Sequence, residues 1–237
     1  MEGGRVNILS IDTSGPVAGC CVMKDGRIAQ LVAMDSGLTH SETIMPAIDR
    51  ALEAADLTPR EIDLYAVVAG PGSFTGVRIG VCAAKGFAHA WSKPCAPVHA
   101  LEALSLNLAG FDGLVCPILD ARRGQVYCAA FDVKSGMPAR VLDDDALPLE
   151  AFIRALPPRE RFAFVGDGAS ANAEKIKDML GDRAFLPPAN LLSLRADAVA
   201  VLAAHRENEW VEARALTPVY LRKPQAERER MARLSRV

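Results

Sequence analysis

No stretch of the 237 residues approaches the roughly 20 consecutive apolar positions that a membrane-spanning helix requires. Residues 1–5 lead straight into a strand-like segment, without a signal-peptide pattern. None of the six cysteines (Cys20, Cys21, Cys82, Cys95, Cys116, Cys128) forms a C-x-x-C pair, and most lie in apolar runs where a thiol acts as a small hydrophobe. That usage reads as a reducing, cytoplasmic setting without a disulfide framework. The histidines (His40, His89, His99, His205) show neither H-x-x-x-H nor H-E-x-x-H spacing, so no metal site is expected. A net charge of −2 argues against a chain built mainly to hold nucleic acid.

The most informative segment present is Gly70-Pro71-Gly72-Ser73-Phe74-Thr75-Gly76-Val77-Arg78-Ile79-Gly80, behind the buried-type run 66–69. A glycine turn between a strand and a helix aims backbone N–H groups at one point, which suits an anion or a closely approaching backbone. It is not a Walker loop, because Val77 and Arg78 stand where a lysine and a hydroxyl belong. In the following helix, 76–91, Gly76, Gly80, Ala84 and Ala88 fall on one ridge, widened by Ala83. Each interior glycine costs about 1 kcal/mol relative to alanine, so the ridge needs an offsetting close approach, either to the chain's own sheet or to another subunit.

Around this segment the pattern reads strand 7–11, strand 19–23, an Asp25-Gly26 hairpin, and strand 28–33. A helix carrying Ile44, Ile48 and Leu52 follows, capped by Ser41 or Thr43 with Pro46 near its start, and then strand 64–69. A short strand at 94–98 and a helix at 101–108 close the half. The second half echoes it. Ile118-Leu119-Asp120 parallels Ser10-Ile11-Asp12, and Gly166-Asp167-Gly168 parallels Gly70-Pro71-Gly72. Helices are expected at 171–180 and 196–207, with 191–210 packing in the second lobe and the acidic run 143–145 forming a solvated turn. The reading is a duplicated α/β chain with lobes 1–108 and 109–237.

Two such lobes resemble the actin, sugar-kinase and heat-shock-chaperone (ASKHA) superfamily. The resemblance assigns Asp12, Thr13, Ser14, Gly70, Gly72, Asp120, Gly166 and Gly168 to vestigial phosphate loops. Six strings narrow it: Ile11-Asp12-Thr13-Ser14, Thr39-His40-Ser41-Glu42, the glycine segment, Ala84-Lys85-Gly86, Leu119-Asp120-Ala121-Arg122-Arg123-Gly124-Gln125-Val126-Tyr127, and Pro218-Val219-Tyr220-Leu221-Arg222. Together they are similar to the bacterial TsaB family, formerly YeaZ.

That resemblance implies a non-catalytic partner subunit, without a cofactor, in the transfer of threonylcarbamoyl from its adenylate to the tRNA adenosine beside the anticodon. The implied partners are a homologous catalytic subunit, TsaD, a TsaE-type ATPase, and tRNA through the complex. The implied interface is Ile44, Ile48, Gly76, Gly80, Ala83, Ala84 and Phe87, which also serves a homodimer when TsaD is absent. TsaD-type chains carry H-x-x-x-H after the glycine-loop helix, whereas here His99 is followed by Ala103, so His99 reads as a cap or packing residue. His40 and Glu42 read as a helix-capping turn. The alternative is a stand-alone ATP-binding phosphotransferase or ATPase of the superfamily, with Asp12 and Asp120 as its acids. A metallopeptidase finds no ligand spacing. The segment 222–237, at +4, reads as a mobile end rather than a tRNA contact.

Overall fold

The computed structural model describes residues 6–222. β1 (Ile8–Asp12) and β2 (Ala18–Lys24) pair antiparallel, and β2 pairs antiparallel with β3 (Arg27–Met34) across Asp25-Gly26, whose φ angles of +52° and +76° fit a two-residue hairpin turn. After α1 (His40–Ala54), β4 (Leu64–Gly70) lies parallel to β1. After α2 (Phe74–Trp91), β5 (Cys95–His99) lies parallel to β4 and leads into α3 (Ala100–Ser105). The sheet order is β3-β2-β1-β4-β5.

The second half repeats this. β6 (Leu114–Asp120), β7 (Gln125–Asp132) and β8 (Ala139–Pro148) pair antiparallel, and β9 (Phe162–Val165) and β10 (Ala184–Phe185) add in parallel. The order β10-β9-β6-β7-β8 is the first sheet's order strand for strand, so the expected duplication is present. The remaining helices are α4 (Leu149–Ala155), α5 (Asp167–Ala171), α6 (Ala173–Leu180) and α7 (Ala196–His205).

Three apolar clusters set the layers. Ile44 and Ile48 of α1 and Val77, Val81 and Ala84 of α2 pack on Leu9, Ile11 and Val67 of the first sheet. The other face of that sheet meets α3 and α7, which the second sheet covers with Val115, Phe131 and Ala163. Phe152, Phe164 and Ile176 bury the outer face of the second sheet under α4, α5 and α6.

Three local expectations are corrected. α1 starts earlier than a Ser41 or Thr43 cap would allow, because the Glu42 carboxylate accepts the Thr39 N–H at 3.2 Å and the Glu42 N–H donates to the Thr39 carbonyl at 3.0 Å. Pro46 is therefore an interior residue, tolerated because it and Glu42 face solvent. The run 143–145 lies in strand β8, not a turn, and Asp144 reaches His99 Nε2 at 3.0 Å. The segment expected in the second lobe instead places α7 across the first sheet, where Ser10 Oγ donates to the Ala196 carbonyl at 2.6 Å. Alanine, valine and leucine surround α7 on nearly every side, so its periodicity carried no direction. Beyond α7 the described chain returns to the first lobe before Arg222 reaches Ala121 of the second. Val211 bridges Cys95, Leu216 enters the α2 core, and the Val219 N–H donates to the Ala69 carbonyl at 2.7 Å.

Candidate functional site

The loops after β1, β4 and β6 converge on a cavity of about 570 Å³ between the lobes. Ser14, Gly72 and Asp120 of the expected phosphate loops line it. Asp12 opens instead into an adjoining pocket of about 280 Å³. Thr13, Gly70, Gly166 and Gly168 line neither.

The loop groups are largely committed to one another. Asp12 Oδ1 accepts both the N–H and the hydroxyl of Ser14, at 2.8 and 2.7 Å, while Thr13 Oγ1 donates to the Gly76 carbonyl at 2.7 Å. Burial pushes the Asp12 carboxyl up to about 6, against the pull of the Ser14 donors and of His40. His40 Nε2 lies 2.8 Å from the Gly15 carbonyl, so it ties α1 to this loop rather than only capping a helix. The expectation of free N–H groups at the glycine turn is corrected in part. The Ser73 N–H donates to the Ser14 carbonyl at 2.7 Å, and the Gly76 N–H donates to Ser73 Oγ at 3.2 Å.

The glycines answer to close backbone approach. A Cβ on Gly72 would lie 2.5 Å from the Ser14 carbonyl oxygen, one on Gly70 2.3 Å from that of Val219, and one on Gly166 2.2 Å from that of Ile118. The same holds along α2. A Cβ on Gly76 would come within 2.0 Å of the Thr13 carbonyl oxygen, and one on Gly80 within 2.6 Å of Thr13 Oγ1. The ridge of Gly76, Gly80 and Ala84 is therefore turned inward onto β1, β4 and the Thr13 loop. With Ile44 and Ile48 also buried, these five residues are corrected from an interface to a core. Ala83 and Phe87 remain partly exposed, with Phe87 stacked on Tyr65 at 5.5 Å.

A family model described as TsaD: tRNA N6-adenosine threonylcarbamoyltransferase matches residues 32–229. The tRNA threonylcarbamoyladenosine biosynthesis protein TsaB of Bacillus subtilis (strain 168) is 35% identical over 223 residues, 94% of this chain and 96% of that protein. The chain belongs to the TsaB family. YeaZ from Pseudomonas aeruginosa, 26% identical, superposes with a TM-score of 0.78 over 91% of this chain and 100% of that one. Component A of (R)-2-hydroxyglutaryl-CoA dehydratase from Acidaminococcus fermentans, 11% identical over 86% of this chain and 99% of that one, shares the fold with a TM-score of 0.52.

In this TsaB-family chain, His99 is the N-cap of α3 but makes no side-chain cap. Its Nε2 faces Asp144, its Nδ1 is buried without a partner among the described residues, and burial pushes its pKa below the usual histidine value although Asp144 pulls it up. Among the described residues no three His, Cys, Asp or Glu side chains converge as metal ligands, and no helix is long and apolar enough to cross a membrane.

Sequence reasoning gave no role to the aromatic and basic groups around the interlobe cavity. Arg78 lies 3.8 Å over the Phe74 ring and donates from Nε to the Tyr220 hydroxyl at 2.8 Å, and Phe74 and Tyr220 pack 4.9 Å apart. Arg222 donates to the Ala121 carbonyl at 2.8 Å. These residues were quoted in the family strings, but 142 positions separate Arg78 from Tyr220, so no local pattern joined them. The basic segment from 223 onward lies outside the described residues.

Proposed function

We propose that this chain is a non-catalytic accessory subunit that binds a TsaD-type catalytic subunit during threonylcarbamoyl transfer to tRNA. The observation that carries it is Gly86. This glycine lies in the second turn from the end of α2, is exposed, and has no atom within 4 Å of where its Cβ would sit. Unlike Gly76 and Gly80, it has no internal reason to be glycine, yet it costs about 1 kcal/mol of helix propensity. Cys82 is exposed, Ala83 and Phe87 are half-buried beside it, and Met45 of the neighbouring α1 is 40% exposed. This outer face has small side chains at its centre and suits the close approach of a second helix. The match to the TsaD family model supports a partner of related fold, which could present equivalent helices.

Gly86→Glu is expected to weaken co-purification with the TsaD-type subunit at least 100-fold while leaving thermal stability within about 2 °C, since the site is open. Undiminished complex formation by Gly86→Glu, in isothermal titration of the two purified subunits, would place the interface elsewhere. The same face would serve a homodimer when the partner is absent, and a TsaE-type ATPase would join the assembled pair. A stand-alone phosphotransferase gains less support, because Thr13 and one Asp12 oxygen are already engaged within the chain. A tRNA modification assay omitting each subunit in turn separates the readings, since the chain alone is expected to modify nothing.

A further inference from the structure

The rim of the interlobe cavity combines exposed arginines with aromatic faces. At the β6–β7 turn, Arg122 and Arg123 take φ of +63° and +57°, followed by Gly124 at +71°. The Gln125 N–H closes the turn on the Arg122 carbonyl at 3.3 Å. Glycine or asparagine is the ordinary occupant of a left-handed turn position, and a side chain such as arginine is held there at a conformational cost. The Arg122 side chain is 89% exposed, with its Nε 3.7 Å from Asp120 Oδ2, a loose contact that leaves most of the guanidinium to solvent. Across the opening stand Phe74 and Tyr220, the latter 39% exposed, and Arg222 joins this wall to the arginine turn through Ala121. Past Arg222 the sequence carries Lys223, Arg228, Arg230, Arg233 and Arg236 against only Glu227 and Glu229.

We propose that this rim is a contact site for single-stranded RNA, with Arg122 and Arg123 on successive phosphates and an unpaired base against Tyr220. The inference rests on the accessory-subunit reading for its biological setting. Guanidinium pairs to phosphate and aromatic faces to splayed bases are the common means by which proteins hold unpaired RNA. A free nucleotide fits less well. The cavity is lined by exposed arginines, Asp12 and Thr13 of the neighbouring loop lie outside it and are bonded within the chain, and positive charge continues in sequence past Arg222. The overall charge of −2 makes the contact local and weak, as an auxiliary grip would be.

The test is fluorescence anisotropy of the full chain with a labelled single-stranded uridine-rich RNA of about a dozen nucleotides, at about 50 and 200 mM salt. Arg122→Gly with Arg123→Gly suits the left-handed turn, and a cooperative melting curve shows that the variant is folded. The double variant is expected to bind about 10-fold more weakly at the lower salt, and its log–log salt slope to fall by about 1.4, the value for two lost single-strand phosphate contacts. Arg122→Lys with Arg123→Lys is expected to restore the slope. No RNA binding by the parent at the lower salt, or an unchanged slope in the glycine variant, would overturn the site. Displacement of the RNA by magnesium ATP with the same arginine dependence would overturn it in favour of a free nucleotide. Binding of the TsaD-type subunit is expected to be intact in the glycine variant. RNA binding indifferent to both arginines, alongside a partner complex still broken by Gly86→Glu, would sink this inference and leave the accessory role standing.

Discussion

Gly76→Ala is expected to destabilise the chain by about 3 kcal/mol or more, enough to lower its soluble yield, because the added methyl would sit 2.0 Å from the Thr13 carbonyl oxygen. The obstacle is backbone, and it cannot retreat cheaply. Thr13 is fixed by its hydroxyl to the Gly76 carbonyl, and the residues on either side of it are bonded to each other. Gly80→Leu is expected to fail in the same way, since its Cβ alone would crowd Thr13 Oγ1 at 2.6 Å and Val67 at 3.3 Å. A bulky residue at Gly80 is therefore a folding defect and cannot probe partner binding. Gly86→Ala, in the same helix, is the internal control and is expected to stabilise by up to about 1 kcal/mol. Urea unfolding of the three variants beside the parent reads out all of this. A Gly76→Ala chain of parental stability would mean that the loop after β1 lies farther from α2 than described.

Asp12→Asn should gain stability at neutral pH and gain almost none in acid. The folded carboxyl, at about 6, holds its proton more tightly than the ordinary value of 3.8. Protonation therefore favours the native state. That contribution is complete below about pH 4, declines as pH rises, and is gone above about pH 6. At pH 7.5 the buried carboxylate costs about 3 kcal/mol on this account, at 1.36 kcal/mol per pKa unit. Asparagine keeps an oxygen for the two Ser14 donors and carries no charge. Urea unfolding at pH 7.5 and pH 4 should show a gain of about 2–3 kcal/mol at the first and little difference at the second. An asparagine variant less stable than the parent at pH 7.5 would contradict the account.

The duplication was legible because it lies in short-range signals: two apolar strands ending in Asp12 and Asp120, each followed by a hairpin, and two glycine turns at matching places. The glycine ridge of α2 was legible as a close approach but not as a direction. Spacing four apart states that something comes near, and only the fold shows that it is the Thr13 loop of the same chain. Gly86 was readable as one glycine among several, and its distinction emerges only from the empty space above it. The Arg78–Tyr220 and His99–Asp144 pairs were out of reach, since each joins segments far apart in sequence. The segment 143–145 misled because three aspartates in a row suggest solvent, whereas an edge strand also leaves alternate side chains in water.

The path of α7 and the bridge at Val211 make the second sheet an insertion within the first structural unit, whose closing pieces arrive after residue 195. A ribosome therefore releases β1 to β5 with one face bare, and their burial must wait until α7 and the segment after it are made. Truncation after residue 108 would yield a sheet lacking its own lid rather than an independent half.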